Sequence, residues 1–229
     1  MSLIFTTKAK TLVTLQKKLK TAKIAAISFF TIREWREDSP RVLKSIHSSC
    51  GGDSFIVRSS CLAEDLPKKS NAGKYESILN VCRSDLSNAI NKVISSYDLK
   101  DDDEQILVQP MLRDVILSVV AFTHDPNTCA PYRIINYSEG TDTAAVTGGK
   151  GGKVIQFAAN SSSNNPIFAR VLLLLEELAK LSEGEPIDCE FALTEGLDQP
   201  HLWLLQARPL VLSSRPESSN EQEKRLEII

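Results

Sequence analysis

Apolar positions recur along the chain with two periods, and the period decides which element each stretch predicts. Leu12, Leu15 and Leu19 follow a helical spacing and predict a short amphipathic helix over 8–19. Leu86, Ala89, Ile90, Val93, Ile94 and Tyr97 share one face of a second helix, 86–97. A third, 167–183, turns Val171, Leu174, Leu175 and Leu178 to a sheet, with Asn165-Pro166 at its start and Gly184 at its stop. Ser39 as N-cap and Pro40 at the first helical position predict a helix to residue 48.

Runs of β-branched and aromatic residues predict strands over 24–32, 55–57, 106–108, 115–122, 132–137 and 154–158. Residues 31–37 are read as turning helical around Trp35. Two further strands, 187–193 and 202–208, alternate. Asp188 and Glu190 project from one face of the first, and Gln206 and Arg208 from one face of the second. The intervening Glu-Gly-Leu-Asp stretch is rich in turn formers, so the two runs predict a hairpin on which two carboxylates, an amide and a guanidinium converge. Such a set suits a hard divalent cation and phosphate oxygens. It suits a surface hairpin closed by a salt bridge equally well.

Composition narrows the function classes. With 229 residues the chain can bury a large core, and its net charge of −2, at 24% charged residues, argues against nucleic-acid or membrane-surface binding through bulk charge. The densest apolar run, 171–175, is far too short to span a bilayer, and the N-terminus has no long apolar segment. A soluble, cytoplasmic protein is expected. Five cysteines without C-x-x-C spacing suggest neither zinc nor a disulfide framework.

Other stretches carry candidate chemistry. Val57-Arg58-Ser59-Ser60 ends a strand, and its loop runs through Glu64-Asp65 to Ser70-Asn71-Ala72-Gly73-Lys74. A basic residue followed by small residues can cradle phosphate, although neither the P-loop nor the dinucleotide fingerprint is present; a solvated loop with a salt-bridged arginine is the alternative. Gln109-Pro110-Met111 follows a buried-type strand and reads either as an adenine pocket or as plain core. His124, beside Asp125-Pro126-Asn127, reads as a turn residue rather than a catalyst. The stretch 147–153, with Lys150 and Lys153 among glycines, reads as a ligand-covering segment or a hairpin tip.

Taken in order, Val57-Arg58-Ser59-Ser60, Glu64-Asp65, Ser70-Asn71-Ala72-Gly73, Val108-Gln109-Pro110-Met111, Ala121-Phe122-Thr123-His124-Asp125-Pro126, Asp188-Cys189-Glu190 and Leu205-Gln206-Ala207-Arg208-Pro209 form a recognisable series. The chain resembles the N-terminal nucleotide-binding domain of the phosphoenolpyruvate synthase and pyruvate phosphate dikinase family. The Ser70–Gly73 loop and Ile134-Ile135-Asn136-Tyr137 look most like the branch in surface-carbohydrate gene clusters that includes glutamine kinases of capsule modification.

The resemblance implies an α+β, two-lobed ATP-grasp fold with antiparallel or mixed sheets flanked by helices. The expected lobes are 1–104 and 105–212, with 213–229 as a linker or tail. It further implies Mg²⁺ and ATP as cofactors. Lys8 or Lys10 and Arg58 would meet phosphate oxygens under a loop containing Ser70, Ala72 and Gly73. Gln109 and Met111 would line the adenine pocket, Glu190 and Gln206 would hold Mg²⁺, and Asp188 would support the metal or ribose side. Arg208 would stabilise charge on the transferred group, so Arg58 and Arg208 are the expected catalytic residues.

The chain also departs from the family. Ser118-Val119-Val120 replaces the usual Ser-Gly-Val, and the N-terminal Gly-Gly-Lys-Gly of the larger enzymes is absent. None of His47, His124 and His201 lies in a phosphohistidine motif, so a carrier domain and an acceptor domain are expected in cis or in trans. The implied function is that of an ATP-dependent phosphotransferase passing phosphate to a histidine on that separate swivelling domain. A non-catalytic nucleotide-sensing or interaction module that kept the fold is the alternative.

Overall fold

The computed structural model describes residues 3–61, 76–97, 101–140 and 152–227. Its contacts divide the chain into two compact units, Thr6–Thr14 with Ile24–Arg113, and Met1–Phe5 with Leu15–Lys23 and Asp114–Ile229.

The first unit contains helix α1 (Lys8–Gln16) as far as Thr14, helices α2 (Ile32–Glu37), α3 (Ser39–Ser49) and α4 (Leu86–Ser95), and strands β1 (Ser28–Thr31), β2 (Ser54–Ser60), β3 (Ser77–Cys82) and β4 (Gln105–Pro110). The strands form an antiparallel sheet in the order β1-β4-β2-β3. Local sequence sets the helix ends. Thr31 and Glu34 form a capping box that starts α2 where the sequence turns helical around Trp35. Asp38, rather than Ser39, caps α3, its side chain accepting from the Arg41 N–H. One face of the sheet carries Phe55, Val57, Ile106 and Val108 into a core shared with Trp35, Ile46, Leu86, Ile90 and Val93. Trp35 stacks on Phe30 and donates from Nε1 to Asn91 Oδ1 at 2.9 Å, so its polar atom is satisfied at the edge of the core.

β4 pairs with both β1 and β2. Its residues Gln105–Pro110 therefore sit with the first sheet, and the contact division falls at Arg113/Asp114. Hydrogen bonding with distant strands places β4, and no local signal encodes that choice.

The second unit contains β5 (Val115–Phe122), β6 (Arg133–Glu139), β7 (Lys153–Phe157), α5 (Pro166–Leu181), β8 (Ile187–Thr194), β9 (His201–Pro209) and α6 (Ser219–Leu226). Its sheet runs β7-β6-β5-β8-β9, all antiparallel. Asn165 caps α5 through its side chain; the helix ends at Leu181, and beyond it Glu183 and Gly184 take positive φ, with the Gly184 N–H donating to the Ala179 carbonyl. Val171, Leu174, Leu175 and Leu178 of α5 are fully buried, as the helical spacing predicts. Phe168 meets Tyr137 and Phe157 edge-on or tilted, which places α5 over the sheet face carrying Val119, Tyr137 and Phe191. Among the described residues no helix is long and apolar enough to cross a membrane.

The tail-like composition of the C-terminal segment conceals a docked helix. Gln222 of α6 is buried, its Oε1 accepting from the Ala159 N–H at 2.7 Å, and the Glu217 N–H donates to the Cys129 carbonyl. A polar side chain fixes this helix, so hydrophobic periodicity does not announce it.

His124 lies in the turn after β5, buried, with Nδ1 3.2 Å from Thr123 Oγ1. Asp125 closes the turn by accepting from the Asn127 N–H and the Thr128 hydroxyl. Burial and the nearby Arg133 charge push the His124 pKa below its ordinary 6.5. The folded state then binds fewer protons at this site than the unfolded state. Stability is expected to fall as pH drops through 6.5 toward the lowered value, and to be fully present above 6.5. Melting curves of wild type and His124→Gln across this range check it. The variant should have a shallower slope on the acid side, with His47, also pushed down by burial, supplying part of what remains.

Candidate functional site

The hairpin β8–β9 brings the predicted cluster together. Asp188 pairs with Arg208, and Glu190 with Gln206. Directly paired residues point to the same side of a sheet, so all four share one face. An irregularity in β9 makes this possible. From Thr194↔His201 to Phe191↔Leu204 the strands stay in step, and then Glu190 pairs with Gln206 rather than Leu205. Without the extra residue, Leu205 would oppose Glu190 and Gln206 would turn toward the helix-covered core. The loop joining the strands is tight, since a Cβ on Gly196 would lie 2.3 Å from the Gln199 carbonyl oxygen.

Arg208 donates to a single oxygen of Asp188, from Nε at 2.8 Å and from Nη2 at 2.5 Å. The two side chains are 18% and 9% exposed, so the pair is largely desolvated. Burial raises the Asp188 pKa above 3.8, with Glu190 adding to the rise and the Arg208 charge opposing it. Gln206 is buried and Glu190 half-buried.

This face continues onto β5 and β6. Val120 pairs with Glu190 on one side and Asn136 on the other, and Phe122 pairs with Asp188. Two residues along β5, the Ser118 hydroxyl is buried without a hydrogen-bond partner among the described residues, as is Asn136 Oδ1. Neither was singled out from sequence as a site residue. Alternation along β5 puts Ser118 on the face of Val120, whereas Asn136 reaches that face only through its pairing with Val120 across the strands. Val119 points the other way: it pairs with Phe191 and Tyr137, is 3% exposed, and belongs to the core under α5. The bulk that replaces the family glycine is therefore directed away from the Glu190 face.

In the first unit, Arg58 and Gln109 share the sheet face opposite the hydrophobic core, because Arg58 pairs with Leu107 and Gln109 with Ile56. Both are buried. Met111 is half-buried and donates its N–H to the Ser54 carbonyl. The Ala9 N–H of α1 donates to Ser60 Oγ at 2.9 Å, and Thr7 Oγ1 donates to Gln105 Oε1 at 2.8 Å, which anchors the helix start on this side of the sheet. Lys8, at the start of α1, is buried, whereas Lys10 is exposed. Ser70, Ala72, Gly73, Glu64, Asp65 and Lys150 lie outside the described residues. Lys153 lies in β7, bonded to Glu139 at 2.8 Å and set over the Tyr137 ring.

The donor set decides what kind of metal would fit. Among the described residues no group of three or more His, Cys, Asp or Glu side chains could hold an ion by itself. One carboxylate and one amide paired on the same face, with Asp188 already held by Arg208, fit a cation that keeps waters and shares phosphate ligands. That is the habit of Mg²⁺ on a nucleotide.

Comparison with solved structures gives a D-alanine–D-alanine ligase from Helicobacter pylori at a TM-score of 0.52 and 13% identity, covering 89% of this chain and 54% of the ligase. A dinucleotide-forming acetyl-coenzyme A synthetase 1 from Candidatus Korarchaeum cryptofilum, solved with coenzyme A and Ca-AMPCP, matches at 0.49 and 12%, covering 90% and 92%. The chain thus spans about half the length of the ligase, and the likeness to the ligase shows the fold alone, an α+β ATP-grasp architecture. No curated protein matches the sequence significantly. The family model for the AMP/ATP-binding domain of pyruvate phosphate dikinase matches residues 4–162. With its first sheet and most of the second inside that match, the chain belongs to the family of pyruvate phosphate dikinase AMP/ATP-binding domains.

Proposed function

We propose that the chain is the ATP-binding part of a phosphoenolpyruvate synthase or dikinase-like phosphotransferase. Phosphate passes from Mg·ATP to a histidine on a separate swivelling domain, supplied in cis or in trans in the cytoplasm, and from there to an acceptor. The observation that carries this reading is the β8–β9 register, which gathers Asp188, Glu190, Gln206 and Arg208 on one face within a nucleotide-binding family. In this reading Glu190 and Gln206 hold Mg²⁺, and bound Mg²⁺ neutralises charge on the phosphates. Asp188 orients the Arg208 fork toward the transferred group. Arg58 and Lys8, with Lys10 as a second lysine, contact phosphate oxygens, the Ser70–Gly73 loop covers them, and Gln109 and Met111 line the adenine pocket. The lobe division at 104/105 is proposed on the same motifs, and the Ile134–Tyr137 stretch supports the carbohydrate-cluster branch. The competing reading, a nucleotide sensor without chemistry, draws on Val119, whose side chain lies in the core under α5.

Calorimetric titration with a non-hydrolysable ATP analogue, with and without Mg²⁺, tests the proposal. Binding strengthened by Mg²⁺ in wild type, with that Mg²⁺ effect lost in Glu190→Gln, is the expected outcome. Absence of binding to folded protein would withdraw the site assignments.

A further inference from the structure

The face of the second sheet that α5 covers holds a charge that the core does not balance. Arg133 opens β6 opposite Phe157 and is only 9% exposed. A buried arginine is ordinarily paired with a carboxylate. Here Nη1 donates to the Thr123 carbonyl, and among the described residues no carboxylate lies within salt-bridge distance. Burial pulls its pKa down, and the more distant Glu176 pulls it back up.

Arg133 lines a cavity of about 550 Å³. Asn160 and the serines that follow it form one wall, and Ala169, Leu172 and Leu173 of α5 form another. Asn160 is engaged with Glu223, and the Ser163 hydroxyl accepts from the Asn165 N–H. The Ser162 hydroxyl has no hydrogen bond among the described residues, and Leu173 is 55% exposed. Glu176, also in the lining, is held by Lys180 at 2.6 Å. The cavity therefore combines a desolvated cationic fork, a hydroxyl donor and an apolar wall. A guanidinium in that setting selects an oxyanion, and the leucines select an apolar body attached to it.

We propose that this cavity binds a small organic oxyanion, on the opposite side of the sheet from Glu190. Arg133 takes the anionic head, Ser162 donates to it, and Leu172 and Leu173 cover the body. Glu176 weakens binding by like-charge repulsion, which keeps the affinity moderate.

The test follows the Arg133 Nε–H resonance of the full chain by nitrogen-15 NMR during titration with phenyl phosphate, benzoate and inorganic phosphate. Saturable movement is expected with phenyl phosphate or benzoate, and whichever is stronger identifies the head group. Inorganic phosphate, which lacks the apolar body, should bind about tenfold more weakly. Glu176→Gln should tighten binding severalfold, and Leu173→Asp should weaken it to a similar extent. Both positions are exposed, so the comparison does not depend on Arg133→Gln, which also removes the bond to Thr123. Failure of all three probes to move Arg133 saturably, or identical affinities in wild type, Glu176→Gln and Leu173→Asp, would overturn the proposal and leave a cavity filled by solvent. None of these readouts involves nucleotide.

Discussion

Replacing Arg208 with alanine is expected to destabilise the second unit by about 3 kcal/mol and to weaken nucleotide binding by tenfold or more. The stability term comes from Asp188, which is 6% exposed and among the described residues accepts two side-chain hydrogen bonds, both from Arg208. Removing one partner of a buried pair strands the other charge, and this costs more than the pair itself contributes. Asp188 has an escape, because burial already raises its pKa and loss of the guanidinium would raise it further. An acid with a raised folded pKa favours the folded state at low pH and loses that advantage as pH rises from 3.8 through the raised value. The deficit of Arg208→Ala should therefore be smallest in acid and grow toward neutrality. Melting temperatures at several pH values, together with an Asp188→Asn/Arg208→Gln double variant that should recover most of the loss, check the stability argument. Equal melting of Arg208→Ala and wild type at neutral pH would contradict the buried ion pair. Unchanged nucleotide affinity would count against the proposed role of Arg208 even if the stability result holds.

Phe191→Ala is expected to cost more, about 3–5 kcal/mol, and to lower Tm by roughly 10 °C. Phe191 is fully buried, pairs with Val119 and Leu204, and follows Glu190 directly in β8. Truncation leaves a ring-sized void between sheet and α5, where packing cannot close without moving strands. Phe191→Leu, which keeps most of the volume, should cost less than about 1.5 kcal/mol. Chemical denaturation of the three proteins gives the comparison. The two variants also separate roles along one strand: Phe191 acts on stability, while Glu190→Gln should leave melting nearly unchanged and alter only the response to Mg²⁺. A Phe191→Ala protein as stable as wild type would show that α5 is not the support of this strand.

Much of this architecture was legible in the sequence because it depends on local rules. Helical spacing gave α4 and α5 with their buried faces, and alternation placed Asp188 with Glu190 and Gln206 with Arg208 before any pairing was known. Where the hydrophobic pattern was silent, elements were missed. β3 is mostly exposed and shows no clean alternation, and α6 is held by the buried amide of Gln222 rather than by an apolar stripe.

Which residues can share a face follows from local sequence, since side-chain direction follows from backbone period. Which faces meet depends on how distant strands pair. The extra residue at Leu205 turns Gln206 and Arg208 toward the carboxylates, the pairing of β5 sends Val119 into the core, and β4 joins the first sheet by bonding to β1 and β2. Each of these is a hydrogen-bond register between segments distant in the chain, and a register is a property of two strands together.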